Sequence, residues 1–290
     1  DEPAYQGNWR RDYAVVLDDP YTAELNKRIW DKYGPKNEGE RVGVHATDLL
    51  FCIRKAWGKR RVRSADRGII TDDLILTWSG GLMFEDLIAS GERQVRAAYC
   101  WQCRVVSRVV PPVRGGPEPA NCGVCRQPWL LFTPDYLADG MLHEAKETRK
   151  SRRQGPEGAP WWIDQLRTYL AFARKAGWVD SSFSRGRLVV KWLMGDYGSR
   201  KKGERPRPPQ AALDAFMVVF EDGFEDDWLA EQKMRFDIVR GDAMPPLRGM
   251  KEGALSPAYD WECASCPVGD AIGCEMLAQW QESEEVQSDG

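Results

Sequence analysis

The sequence predicts an α/β fold: a central mixed sheet flanked by helices, with one cysteine-rich insertion and a C-terminal cysteine closure. Three observations predict it. Apolar strand-like runs at 129–137, 141–148, 187–194 and 215–221 alternate with helical patterns at 72–90, 160–176 and 224–239. Asp139-Gly140 between the first two runs is a hairpin signal. The eight cysteines fall into two complete sets of four, with none left over.

With 290 residues the chain can bury a substantial core, and 42% hydrophobic with 29% charged residues describes a globular protein rather than a disordered one. No apolar run approaches the ~20 residues of a membrane-spanning helix. No secretory signal is visible, and C-x2-C pairs fit metal binding in a reducing cytosol better than disulfides, so the expected location is cytoplasmic. The net charge of −3 conceals basic runs at 59–63, 149–153 and 200–207 and acidic ones at 221–227 and from Glu282. Local basic stripes are compatible with binding a polyanion.

Taken in order, residues 1–42 read as a polar N-terminal extension with one helix near 22–33. Thr47 is a plausible N-cap for a helix over 48–58, with Leu49, Leu50 and Ile53 on its apolar side and Cys52 within it. A second helix over 72–90 contains Gly80-Gly81 and carries Glu85. Residues 98–128 form a zinc-ribbon-like insertion outside the core: Cys100-x2-Cys103 and Cys122-x2-Cys125 are metal knuckles that favour structural Zn2+. Arg104, Arg108, Arg114 and Arg126 around them are candidate contacts for DNA or protein. The hairpin follows, then the helix of Gln165 and Tyr169, two strands, a helix, and a loop at 245–257. That loop leads into the cysteine cluster of 258–280, with Cys263, Cys266 and Cys274. Cys52 completes this second set from the other end of the chain, where four thiolates suit an iron–sulfur cluster or zinc.

Within the hairpin stand Thr133-Pro134-Asp135 and Glu144-Ala145-Lys146. Strand alternation puts Glu144 and Lys146 on one face and His143 on the other, pointing away. A neighbouring strand can bring Asp135 to the first face. Two converging carboxylates repel unless a cation compensates, and Asp135, Glu144 and the Ala145 carbonyl offer hard oxygen ligands for Mg2+ or Mn2+. Lys146 would orient or help deprotonate a water. Gln165 and Tyr169, four apart, share a helix face. His45 reads as a capping or buried residue. Neither a Ser/His/Asp nucleophile elbow nor a Walker-type phosphate loop is present. Trp161-Trp162, near the basic run at 149–153, are candidates for stacking unpaired bases, with core packing the default.

The order Gly81-x3-Glu85, Pro134-Asp135, Glu144-x-Lys146, Gln165-x3-Tyr169 resembles the PD-(D/E)xK nuclease superfamily in its RecB-like branch. With Phe51-Cys52-Ile53-Arg54-Lys55 ahead of these motifs and Cys263, Cys266 and Cys274 after them, the chain is most similar to the CRISPR-associated Cas-four type nucleases and their phage-encoded relatives, over roughly 43–280. The resemblance implies a restriction-endonuclease-like core in 43–290. It implies a [4Fe–4S] cluster on Cys52, Cys263, Cys266 and Cys274. In the site, Asp135 and Glu144 would be metal ligands and Lys146 the catalytic lysine, with Glu85 supporting the metal and Gln165 and Tyr169 organising the site or touching DNA. It further implies a Mg2+- or Mn2+-dependent deoxyribonuclease acting on DNA with single-stranded character, an exonuclease more than an endonuclease. Its partners would be a recombinase, a helicase or CRISPR integration proteins. The alternatives are a non-catalytic DNA-binding scaffold that keeps the fold and a structure-specific or RNA-directed endonuclease. The Cys266–Cys274 spacing is longer than the family's commonest form, and the 98–128 insertion is not part of its minimal pattern.

Overall fold

The computed structural model describes residues 19–33, 43–63, 72–90, 92–93, 96–108, 121–194, 211–245, 261–264 and 266–274. Helix α1 (Asp19–Tyr33) packs on α4 (Asp72–Ile88). Between them the single helix expected over 48–58 is two helices, α2 (Ala46–Leu50) and α3 (Ile53–Lys59). The break falls at Phe51 and Cys52, both extended, so Cys52 caps α3 instead of lying inside a helix. The cap of α2 is His45 rather than Thr47, and the His45 N–H donates to the Asp48 carboxylate at 3.0 Å. The bend lets Leu49 and Ile53 both enter the core, and an apolar pattern continuous through the break gave no sign of it.

Two sheets stand where one was expected. The first, of four strands, orders β1 (Val44–His45), β5 (Leu130–Phe132), β3 (Ala97–Cys100) and β4 (Val105–Arg108), with β1 parallel to β5 and the rest antiparallel. The second, of five strands, orders β2 (Glu92–Arg93), β6 (Tyr136–Ala138), β7 (Met141–Thr148), β8 (Arg185–Trp192) and β9 (Ala212–Val219). In it β7 and β8 are parallel and the other pairs antiparallel. The run expected as one strand over 129–137 is divided between the sheets at Thr133-Pro134-Asp135. Proline has no N–H for a ladder, so the chain leaves β5 there and pairs again with a different neighbour.

The first cysteine pair is likewise less separate than expected. Ala97, Ala98, Tyr99 and Cys100 are all buried on β3, and the Tyr99 ring meets Phe172 at 5.2 Å between centroids. The strand that delivers Cys100 therefore belongs to the core, and only the knuckles stand out from it.

The hairpin forms as the sequence indicates. Ala138 pairs with Met141 across Asp139 (φ 52°) and Gly140 (φ 69°), a two-residue turn with both residues left-handed. From β7 the chain enters α5 (Pro160–Lys175), opened by proline at its first position, and returns as β8 parallel to β7. Leu166, Leu170, Phe172 and Ala173 of α5 are fully buried with Leu142, Leu188, Val190 and Trp192 of the sheet. Each such large apolar side chain contributes about 2 kcal/mol on burial. Helix α6 (Phe224–Arg240) packs on α3 and α5, with Glu225, Asp226 and Asp227 in its first turn and Arg240 in its last, favourable to its dipole. Among the described residues no helix is long and apolar enough to cross a membrane.

Candidate functional site

Strand β7 passes beneath α5, and its register with β8 sets which side chains face the helix. Glu144 lies beside Leu188 and Lys146 beside Val190, both core residues, so the two charged groups point into the helix-covered face. They share a close hydrogen-bonded ion pair. Glu144 is fully buried and its Oε2 has no hydrogen-bond partner. Asp135, just before β6, accepts a hydrogen bond from the Ala145 N–H at 2.7 Å. In an extended strand a residue's N–H and C=O point to the same side, so the Ala145 carbonyl lies along the edge where Asp135 replaces a paired strand.

Burial pushes the Glu144 carboxyl up to about 8, and the charge of Asp135 adds to the rise. For Lys146 burial works against the charge, but Glu144, Asp135 and Glu85 outweigh it and the ammonium is held above its ordinary range. Glu85, buried on α4, faces both groups from a third element. Tyr169, buried on α5, accepts a hydrogen bond from Gln165 Nε2 at 3.3 Å. Burial raises its phenol well above the usual value, with Glu144 and Asp135 as the next causes. The structure thus brings together Glu85, Asp135, Glu144, Lys146, Gln165 and Tyr169 from four separate segments.

His143 faces away from this cluster, as expected. Its ring stacks on Tyr136 at 4.4 Å, and its two nitrogens meet the Met141 carbonyl at 3.1 Å and Arg187 Nη1 at 3.0 Å. A neutral ring protonated at Nδ1 satisfies both partners, and burial and then Arg187 lower its pKa accordingly. The tryptophan pair is mainly structural: Trp162 is buried 6.1 Å from Trp192, and Lys150 Nζ sits 4.4 Å over the Trp161 ring. In the neighbouring basic run Arg152 is held by Asp214 through two 2.7 Å hydrogen bonds. The basic run at 200–207, Arg114 and the tail from Glu282 lie outside the described residues.

A second centre is formed by Cys100, Cys103, Cys122 and Cys125, whose sulfurs all lie within 4.8 Å of one another. Cys100 Sγ is 3.4 Å from Cys125 Sγ and Cys122 Sγ is 4.0 Å from Cys103 Sγ. A tetrahedral ion with metal–sulfur bonds near 2.3 Å needs sulfurs about 3.8 Å apart, so the donor set fits a metal such as zinc or iron. The two knuckles are near copies. The N–H of Arg104 donates to the Cys100 carbonyl at 2.7 Å and that of Arg126 to the Cys122 carbonyl at 3.0 Å, with both arginines left-handed at φ 57° and 62°. Backbone N–H groups of Cys103 and Val124 approach Cys100 and Cys122 sulfur at 3.4 Å each. Such bonds lower the Cys122 thiol to about 7, whereas the crowding Cys125 thiol lifts Cys103 to about 12. The sequence signal for this paired geometry is C-x2-C-Arg occurring twice, whose arginines the sequence offers as contacts for DNA or protein. Arg104 and Arg126 have a backbone role as well, and Arg108 lies 5.5 Å from the Trp178 ring.

The other cysteine set is assembled at one corner without closing. Gly58 of α3 lies against Val268 and Ile272, which docks the final segment on the Cys52 region. Glu262, on α7 (Trp261–Ala264), is buried and accepts the Cys52 N–H at 3.0 Å. Buried Arg54 donates twice to the Pro245 carbonyl and lies 3.9 Å from Cys274 Sγ. Burial raises the Cys52 thiol to about 11, helped by Glu262 and Cys266. None of the eight cysteines is in a disulfide, and among the described residues only the 100–125 set closes into a tight donor group.

No protein-family profile and no curated protein matches the chain. A solved structure titled "Crystal structure of SSO0001" is similar at 17% identity over 87% of this chain and 95% of that one, with a TM-score of 0.39. At that score the likeness carries no argument about fold or activity.

Proposed function

We propose that this protein is a metal-dependent deoxyribonuclease with a restriction-endonuclease-like core, hydrolysing phosphodiesters of DNA that has single-stranded character. The observation that carries the reading is the convergence of Asp135, Glu144 and Lys146 beneath α5, with Glu144 Oε2 buried and unpartnered. A fully buried carboxylate with a free oxygen beside a second carboxylate is a donor set suited to a hard divalent cation. Asp135, Glu144 and the Ala145 carbonyl would hold Mg2+ or Mn2+. A cation bound there acidifies water and offsets charge on the leaving oxygen. Lys146 would orient the attacking water, and Glu85, Gln165 and Tyr169 would fix the carboxylates and the lysine. Cleavage of end-labelled single- and double-stranded DNA with Mn2+ tests the reading. Intact DNA at every metal and pH condition, with DNA binding retained, would favour a scaffold role.

The Glu144 shift has a measurable consequence. Its folded pKa lies above the unfolded value of an ordinary carboxyl, so the proton stabilises the metal-free fold. That contribution is lost as pH rises toward about 8. Lys146 stays charged through this window and adds no slope. A bound cation must displace the Glu144 proton. Mn2+ affinity, measured calorimetrically, is therefore expected to tighten by up to ~10-fold per pH unit between about pH 6 and about pH 8, with proton uptake by the buffer. Affinity flat across that interval would remove Glu144 from the ligand set.

The proposal extends to both cysteine sets: Zn2+ on Cys100, Cys103, Cys122 and Cys125, and a [4Fe–4S] cluster on Cys52, Cys263, Cys266 and Cys274. Support for the second is the donor chemistry and the docking of 266–274 on α3. Anaerobically purified protein is expected to be brown, with iron and zinc both bound, and Cys274→Ala to lose the iron and colour while keeping the zinc. A colourless protein holding zinc alone contradicts the cluster. A DNA end-processing role with a recombinase, a helicase or CRISPR integration proteins is the biological setting this chemistry would serve.

A further inference from the structure

Helix α4 crosses the end of β7 and leaves a cavity of about 590 Å3 lined by Leu76, Thr77, Gly80, Gly81, Glu147, Thr148, Arg149 and Leu193. Two stripes of the helix border it. Leu76, Gly80 and Phe84 recur every four residues and face the sheet. A Cβ on Gly80 would meet Glu147 Oε1 at 2.6 Å, and Lys191 Nζ lies 5.4 Å from the Phe84 ring. The stripe of Thr77, Gly81 and Glu85 has the same spacing and ends at the carboxylate that faces Glu144 and Lys146. On α4 the cavity lining ends at Gly81, one helical turn before Glu85.

We infer that this groove receives the unpaired DNA strand bordering the scissile phosphodiester, with Gly81 as its floor. The inference rests on the nuclease reading and names the form of substrate that site takes. The groove's one acidic side chain, Glu147, is neutralised by Lys191 at 2.6 Å, which removes repulsion from a polyanion. Arg149 stands exposed at the mouth, without a hydrogen-bond or ion-pair partner among the described residues, while Lys150 and Arg152 of the same run are engaged elsewhere. Leu76 lines the cavity and is 42% accessible, which gives a base apolar surface to lie on. The volume is of the size that takes a ligand like a single nucleotide. No atom lies within 4 Å of a Cβ built on Gly81, so a side chain there enters the groove without pressing on the fold.

The test is a size series at Gly81 in the whole protein, read by anisotropy of a labelled oligothymidylate in Ca2+, beside a duplex of the same length and a thermal melt. Gly81→Leu is expected to weaken single-strand binding by roughly 100-fold. Gly81→Ala should fall between, and both melting temperatures should hold or rise, because glycine is the poorer helix former. Single-strand binding unchanged in Gly81→Leu overturns the groove, as does an equal loss for the duplex or a wild type that binds no single strand. Binding lost in Gly81→Leu in a protein that never cleaves DNA keeps the groove and overturns the nuclease reading instead.

Discussion

Replacing Lys146 by alanine is expected to lower DNA cleavage by about 10³-fold or more while leaving DNA binding close to wild type. The ammonium sits on the buried face of β7 against Glu144, with Asp135 and Glu85 acting on it as well. Removing it takes away the only cation among the described residues that is bonded to the carboxylate pair, and losses of 10²–10⁴ are typical when a positioned proton-handling group is deleted. The usual objection to truncating one member of a buried ion pair is collapse, since an uncompensated buried charge costs roughly 3–5 kcal/mol. Glu144 avoids that cost here. Its pKa already lies near 8 through burial, and loss of Lys146, whose charge lowers it, raises it further, so it stays a neutral carboxyl at neutral pH. Lys146→Ala should therefore melt within a few degrees of the parent in the absence of metal. Cleavage at the parental rate would remove the whole site assignment, and loss of both cleavage and fold would be separated by the melt and by Lys146→Met, which keeps the packing of the stem.

The second large effect concerns the four-thiolate centre. Cys100→Ala is expected to lose one metal ion per chain and to cost about 4 kcal/mol or more, the size seen when a structural metal is lost. The reason is the position of Cys100 at the end of β3, whose residues pair with both β4 and β5 and whose Tyr99 packs on Phe172 of α5. Freeing the knuckle would loosen the N–H to sulfur bonds at Cys100 and Cys122, and two left-handed arginines would lose the restraint that a metal held by the four sulfurs would supply. Val124→Ser is the control, since Val124 is 81% exposed at the knuckle tip and should change neither metal content nor melting. A Cys100→Ala protein that melts like its parent would show the centre to be dispensable for the fold.

Part of this protein was determined by sequence alone. Asp139-Gly140 specified the hairpin because two adjacent left-handed residues suit few side chains and one tight turn. Strand alternation put Glu144 and Lys146 together and sent His143 to the opposite face, because the period of a strand is two whatever the surroundings. The C-x2-C spacing made the four-sulfur donor group of Cys100, Cys103, Cys122 and Cys125 legible, since its geometry is local to each knuckle.

Other features depended on contacts between distant segments. Only the tertiary structure decided that 129–137 serves two sheets, because pairing partners are chosen by what lies alongside and Pro134 merely permits the switch. It decided that 48–58 bends at Cys52, since a straight helix and two short ones share the same apolar pattern and differ in what they pack against. It decided, too, that β3 belongs to the core, through Tyr99 and Phe172, a pair separated by most of the cysteine insertion and the hairpin. And it brought Glu85 from α4 and Tyr169 from α5 to Glu144, raising that carboxyl through desolvation. Residue types and local period were fixed by covalent neighbours. Burial, and with it the electrostatics of the site, came from segments that meet only when the chain folds.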